Sequence, residues 1–369
     1  MSTVIEIALF NLAPGTTAEQ FALIDHAMER DYISKQPGFI TRESGAGDRG
    51  DWLVVNHWKT VEDAQAAMVA FYSAPATQAF LKNLDAKTML NRHYIKMTPA
   101  TELGWKHFPA GPNGFFRAPV LLTGAREAIL IDGGFNLPDG RVLADAVKAS
   151  GKTLSTVYVS QSDPDYYFGL GPVKAAFPGA KVIAAPATVE AIKASVQGKL
   201  DIWGPQLKES GPQKLSDVVI PEPYSASSLT LEGVAIEIVE TKNLPNRRYI
   251  YVPSLEAVFG GILIFSGVHV WTADTATSEL RAAWVKELDA IAKRKPKVVI
   301  SGHLSEGAPI DASAITYTRD YLLAFEEELA KANDSTAVIA AMKKRYPNAG
   351  MDVALDMGAK VAKGEIKWG

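Results

Sequence analysis

The 369-residue chain contains no cysteine and only six histidines. A disulfide framework, a thiolate metal site and a cysteine nucleophile are therefore excluded, and any metal proposal must account for each imidazole. Charge of one sign is also missing. With 38 Lys and Arg against 41 Asp and Glu the formal net charge is −3, which provides no broad basic field for nucleic acid or an anionic membrane. No apolar run approaches the roughly 18 residues of a membrane span, and the N-terminal MSTVIEIALFNLAPG lacks a basic region and a small-residue cleavage pattern. The chain is expected to be cytoplasmic and to act on a small molecule. What is present is ordinary globular material, 47% hydrophobic and 21% charged. The length exceeds what one core usually organises, so two domains are expected.

Val4 to Leu12 alternates as a strand, and Pro14-Gly15 breaks it before Thr17-Ala18-Glu19-Gln20, a capping box opening a helix to about Lys35. Phe39 to Ser44 and Trp52 to Trp58 read as an antiparallel pair around a Gly/Asp turn. Thr60 caps a second helix to about Phe71, and His93 to Met97 offers a last strand. The β-α-β-β-α-β order is that of a ferredoxin-like unit. The text PGFITRESGAGDRGDWLVVNHWKTVEDAQAA resembles the antibiotic-biosynthesis-monooxygenase type of dimeric α/β barrel over residues 1–100. That resemblance implies a homodimer formed through this domain, with oxygenase-like chemistry near His57 and Trp58 as an alternative. His26, His93 and His107 carry no motif.

After a short linker, Thr98 to Glu102, the sequence changes character. AILIDGGF closes one strand on an Asp and two glycines, Thr156 to Ser160 forms another, and QSDPDYYFGLG follows. Later strands fall near 234–240, 248–252 and 256–260, and KVVIS runs into Gly302-His303. Sheets inside and helices outside predict an αββα sandwich over residues 101–310, giving an α+β chain overall. Residues 311–369 read as amphipathic helices packed on it: Tyr317 to Ala332, Ser335 to Arg345 and Met351 to Lys363.

At these residues the chain resembles the metallo-β-lactamase fold superfamily. The resemblance places the family's histidine-rich metal loop on Gln161, Asp163, Asp165 and Tyr166, its next histidine on Asn243, its bridging aspartate on Gly261 and its last histidine on His303. Asp165 and His303 alone keep the family's residue type. A dinuclear zinc hydrolase needs about six or seven nitrogen and carboxylate ligands, so the resemblance implies the fold without that centre, and no cofactor. A single Zn, Mn or Fe ion on Asp163, Asp165 and His303 is the alternative.

Without metal, Asp163 and Asp165 would repel in a partly desolvated pocket. One pKa would rise and create an acid/base pair, with His303 as partner and Tyr166 as donor to an oxyanion. An Asx-type cap on the following helix would use the same carboxylates. Gln161, Tyr167, Asn243, Arg247, Tyr249, His269 and Trp271 are expected around the substrate, with one of Arg247 and Arg248 on a carboxylate or nitro group and the other solvated. Trp203 and Phe265 add to an apolar wall suited to a hydrophobic or aromatic ligand. Three readings follow: metal-independent hydrolytic or acid/base chemistry, a mononuclear metal hydrolase, and a non-catalytic binding protein.

Overall fold

The computed structural model describes residues 3–96 and 102–368. Of the linker, Thr98 to Thr101 lie outside them, as does Met97, the end expected for the last strand of the first unit. The chain divides into two compact units, Met1–Ala100 and Thr101–Gly369.

The first unit runs β1 (Val4–Leu12), α1 (Ala18–Asp31), β2 (Phe39–Ala46), β3 (Asp51–Trp58), α2 (Val61–Phe71), α3 (Gln78–Lys82) and β4 (Leu84–Ile95). The strands form one antiparallel sheet in the order β2-β3-β1-β4. Thr17 and Gln20 close the reciprocal capping box that starts α1. The helix stops at Asp31, short of Lys35, because Tyr32 leaves helical geometry and its hydroxyl donates to the Ala67 carbonyl at 2.6 Å. Strand alternation sends Trp52, Val54 and Trp58 into the core shared with α1 and α2. His57 therefore points to the opposite face from its neighbour Trp58, and the pocket expected near both residues is not formed by them.

The second unit begins with β5 (Gly104–His107), β6 (Val120–Thr123), β7 (Glu127–Ile131), α4 (Leu137–Ser150), β8 (Thr153–Val159), α5 (Leu170–Ala176), β9 (Lys181–Ala184), α6 (Pro186–Leu207) and β10 (Glu222–Pro223). These first six strands make one sheet, parallel from β7 through β10. A second sheet follows from β11 (Ser228–Leu231), β12 (Val234–Glu240), β13 (Arg248–Val252) and β14 (Ala257–Phe259). After β15 (Phe265–Ser266) and α7 (Ser278–Ala292), β16 (Val298–Val299) completes that sheet and β17 (His303–Leu304) pairs with β15.

Side chains from alternate strand positions separate two apolar layers. Val120, Leu122, Ile129, Ile131 and Tyr158 meet Ile236, Ile250, Val252 and Phe259 between the sheets. Leu121, Leu130, Val157 and Val159 face outward under helices. Burial on both faces explains why these strands read as nearly continuous apolar runs.

The chain ends in α8 (Ser313–Lys331), α9 (Ser335–Arg345) and α10 (Asp352–Ala362). Helix α8 is bonded to the β15 segment: Thr318 exchanges hydrogen bonds with the Phe265 backbone at 2.9 Å, and Tyr317 donates to the Val268 carbonyl at 2.8 Å. This fixes the wall that carries Phe265. Among the described residues, no helix is long and apolar enough to cross a membrane.

Candidate functional site

The ends of β7 and β8, the turn after β14 and the start of β17 converge on a buried polar cluster. Asp132, in the left-handed region at φ 65°, turns its carboxylate toward Ser160. The Ser160 amide donates to it at 2.8 Å, and the Ser160 hydroxyl lies 2.9 and 2.8 Å from its two oxygens. Against this stands Arg117, from the segment before β6, which has no exposed surface. Its Nη2 is 2.9 Å from Asp132 Oδ2, and its Nη1 donates to the Gly302 carbonyl at 2.5 Å. The central guanidinium carbon lies 3.4 Å from the centroid of the Tyr166 ring, a cation–π contact in a dry setting.

Asp165 and His303 meet over this guanidinium. Asp165 Oδ2 is 3.6 Å from Arg117 Nε and 3.7 Å from His303 Nε2. His303 Nδ1 donates to the Phe115 carbonyl at 2.7 Å, so its neutral tautomer leaves Nε2 bare toward Asp165. Phe265 stacks on the imidazole with centroids 4.9 Å apart. Burial, reinforced by Arg117, pushes His303 down to about 3. Burial likewise pushes Asp165 up to about 7, against the attraction of Arg117 and with the repulsion of Asp163. The side chain of Asp165 keeps 13% exposure, so this carboxyl can exchange a proton with solvent. Tyr166 is committed elsewhere: its hydroxyl donates to the Gly261 carbonyl at 3.0 Å, and burial raises its pKa well above 10.

Asp163 makes no hydrogen bond or ion pair to Arg117, Asp165 or His303, although its charge is felt at Asp165. It makes no cap bond; its oxygens lie 3.4 Å from Lys199 Nζ and 3.4 Å from Gln161 Nε2. It lines an open cleft of about 270 Å³ with Gln161, Ser162, Asn246, Arg247, Asp274 and Thr275, closed on one side by Leu244, Pro245 and Leu280. Arg247 Nη2 pairs with Asp274 Oδ2 at 3.2 Å. Trp368 Nε1 donates to the other Asp274 oxygen at 2.7 Å, and Trp271 packs edge-on to Trp368 at 5.2 Å. Burial, then the charge of Asp163, raises the Asp274 carboxyl.

Several expected contacts fall elsewhere. Asn243 is exposed and donates to Glu287 at 2.6 Å, because Thr241 closes the 241–247 loop onto the Leu244 and Arg247 carbonyls and turns residue 243 outward. Tyr249 packs in the core with Arg294 over its ring. His269 is buried between Tyr321, 2.9 Å from Nδ1, and Asp352 on the C-terminal helices. Tyr167 is buried in the core, and Trp203 packs on Phe115 and Phe135. Trp271 reaches the cleft only through Asp274. With these aromatics withdrawn, the lining is mainly polar, contrary to the apolar wall expected. Arg117 and Asp274 carried no sequence signal, and Asp132, the strand-ending Asp of AILIDGGF, was not expected in the site.

The metallo-β-lactamase superfamily model matches residues 113–303, and the chain belongs to that superfamily. Among solved structures it is similar to VMB-1 (17% identity, 62% of this chain and 95% of that one, TM-score 0.41). It is also similar to the metallo-β-lactamase from Pontibacter korlensis (16%, 62% and 97%, TM-score 0.43). DIM-1 metallo-β-lactamase exposed to ceftazidime gives 15%, 62% and 94%, with a TM-score of 0.40. No curated protein matches the chain.

Zinc is the family's usual metal, and the residues present do not fit a dinuclear centre. Arg117 brings a fixed positive charge to Asp165 and stacks on Tyr166. A Cβ on Gly261, at φ 72°, would lie 2.0 Å from the Arg248 carbonyl, and the next residue, Ile262, is buried and apolar. The single-ion alternative needed Asp163 beside Asp165 and His303. Among the described residues, no three His, Asp or Glu side chains are grouped to hold an ion.

Proposed function

We propose that this chain is a hydrolase-like enzyme on a small molecule that works without the dinuclear zinc centre, with Asp165 as its acid/base group. The observation supporting this reading is the position of Arg117, whose guanidinium lies 3.6 Å from Asp165, the carboxylate that a cation would otherwise hold. Asp165, shifted to about 7, takes a proton from an attacking water and returns it to the leaving group. His303 stays neutral beside it, with its bare Nε2 3.7 Å from the carboxyl that carries the proton. The test is turnover of activated esters, lactones and thioesters after dialysis against a chelator. Activity that survives the chelator and falls at least ~100-fold in Asp165→Asn supports the reading. Activity restored only by zinc, or unchanged in Asp165→Asn, overturns it.

A second reading, a non-catalytic binding protein, is favoured by one observation: the open cleft is lined by Gln161 and Asp163 but by neither Asp165 nor His303. Ligands that bind without turnover, with affinity unchanged in Asp165→Asn, would select it.

For the first unit we propose a ferredoxin-like module that pairs two copies of the chain. Its strand order supports this, as does the sheet face away from the helices, where Ile5, Ile7 and Leu9 lie beside Leu53, Val55, Leu90 and Tyr94 in register. Leu53 and Tyr94 are 41% and 44% exposed. A cytoplasmic setting completes the reading.

A further inference from the structure

The cleft contains two polar groups that its own fold leaves unanswered. Arg247 is 7% exposed, and one guanidinium nitrogen pairs with Asp274 while the other, Nη1, is buried without a partner. Gln161 is 6% exposed; its amide N–H faces Asp163, while its Oε1 is buried and unbonded. Leaving a buried donor and a buried acceptor unpaired is unfavourable, and both residues line the same 270 Å³ space. A ligand that answers both carries an acceptor for a guanidinium and a donor for an amide oxygen. A carboxylate suits the first, because charge-assisted bonds from arginine are the stronger class. Asp163 and Asp274 flank the site and disfavour a second negative charge nearby, so one carboxylate with a neutral donor fits best.

We infer that this cleft recognises a small monocarboxylate bearing an N–H or O–H next to the acid, with Arg247 and Gln161 as the specificity-determining pair. The inference names the ligand class of the cleft that adjoins Asp165 in sequence through Gln161 and Asp163, and rests on the catalytic reading above for turnover, though not for binding.

The test is binding, measured by calorimetry and ligand-observed NMR on the full chain with chelator present. The probes are N-acetylalanine and lactate, each against its own carboxamide. The acids are expected to bind at least ten-fold more tightly than the amides, and whichever acid binds more tightly identifies the donor as N–H or O–H. Gln161→Met should weaken that acid several-fold. Arg247→Gln should erase the preference for acid over amide. Equal binding of acid and amide, no binding of either acid at 10 mM, or a preference that survives Arg247→Gln overturns the inference. If Arg247→Gln does not fold, Arg247→Lys takes its place and should reduce the preference, while the wild-type comparison stands by itself. Acid-selective binding without hydrolysis of any ester or amide of these acids would sink the catalytic reading and leave this one intact. Hydrolysis without acid selectivity would do the reverse.

Discussion

The guanidinium of Arg117 sits over the ring of Tyr166, with 3.4 Å from its central carbon to the ring centroid. The same group reaches Asp132, Asp165 and the Gly302 carbonyl, so one side chain binds four pieces of the site together. Arg117→Met would leave two buried carboxylates without their counter-charge, and a loss of about 3–5 kcal/mol is expected. Arg117→Lys should recover little, since one ammonium cannot span the carbonyl, the carboxylate and the ring as a planar fork does. Urea unfolding of both variants checks this, and wild-type stability in Arg117→Met would refute the role.

Asp165 and His303 carry opposite proton linkages. The Asp165 carboxyl, shifted from 3.8 to about 7, makes the folded state bind more protons than the unfolded chain, so its stabilising effect is present below 3.8 and lost as pH rises through 7. The His303 imidazole, shifted from 6.5 to about 3, has the reverse effect, present above 6.5 and lost as pH falls through 3. Between about 4 and 6.5 the two slopes oppose, and this pair should leave wild-type stability nearly flat. Asp165→Asn should make stability rise with pH by up to ~1.4 kcal/mol per unit in that window, and His303→Gln should make it fall. Identical slopes in the two variants would contradict the assignment.

At Gly261, where the sequence resemblance places the family's bridging aspartate, a side chain has no room. The residue's φ of 72° and the 2.0 Å approach of the Arg248 carbonyl to a Cβ leave only glycine. Gly261→Ala should lower stability by more than ~3 kcal/mol, and Gly261→Asp should not yield a folded chain. Thermal melts decide, and a Gly261→Asp variant that folds with new zinc affinity would show that the backbone yields.

Pairing through the first unit is tested by light scattering on the full chain. The wild type is expected as a dimer, and Leu53→Glu, on the open sheet face, as a monomer with an unchanged circular dichroism spectrum. A monomeric wild type, or a dimer indifferent to Leu53→Glu, rejects the pairing.

The sequence was most legible where a pattern repeats or a cap is local. The strands at 234–240 and 248–252 and the helix Ser335–Arg345 stand where alternation and helical spacing predict them. Asp165 and His303 were legible because strand ends and a Gly-His pair mark them. Arg117 was not, since a lone arginine in FFRAPV has no periodic partner; its one signal is a charge among residues that ought to be buried. Asp274 belongs to no regular element. Asn243 was misplaced for a local reason: the hydrogen bonds of Thr241 fold the loop so that Asn246 rather than Asn243 lines the cleft.

Under the proposed function, the guanidinium of Arg117 supplies at Asp165 the positive charge that zinc would otherwise bring. Native mass spectrometry of the full chain, titrated with zinc and paired with calorimetry, tests it most directly. No stoichiometric zinc is expected at micromolar concentrations, with the same weak background in His303→Gln. Two zinc ions per chain, bound with an affinity that His303→Gln abolishes, would contradict it.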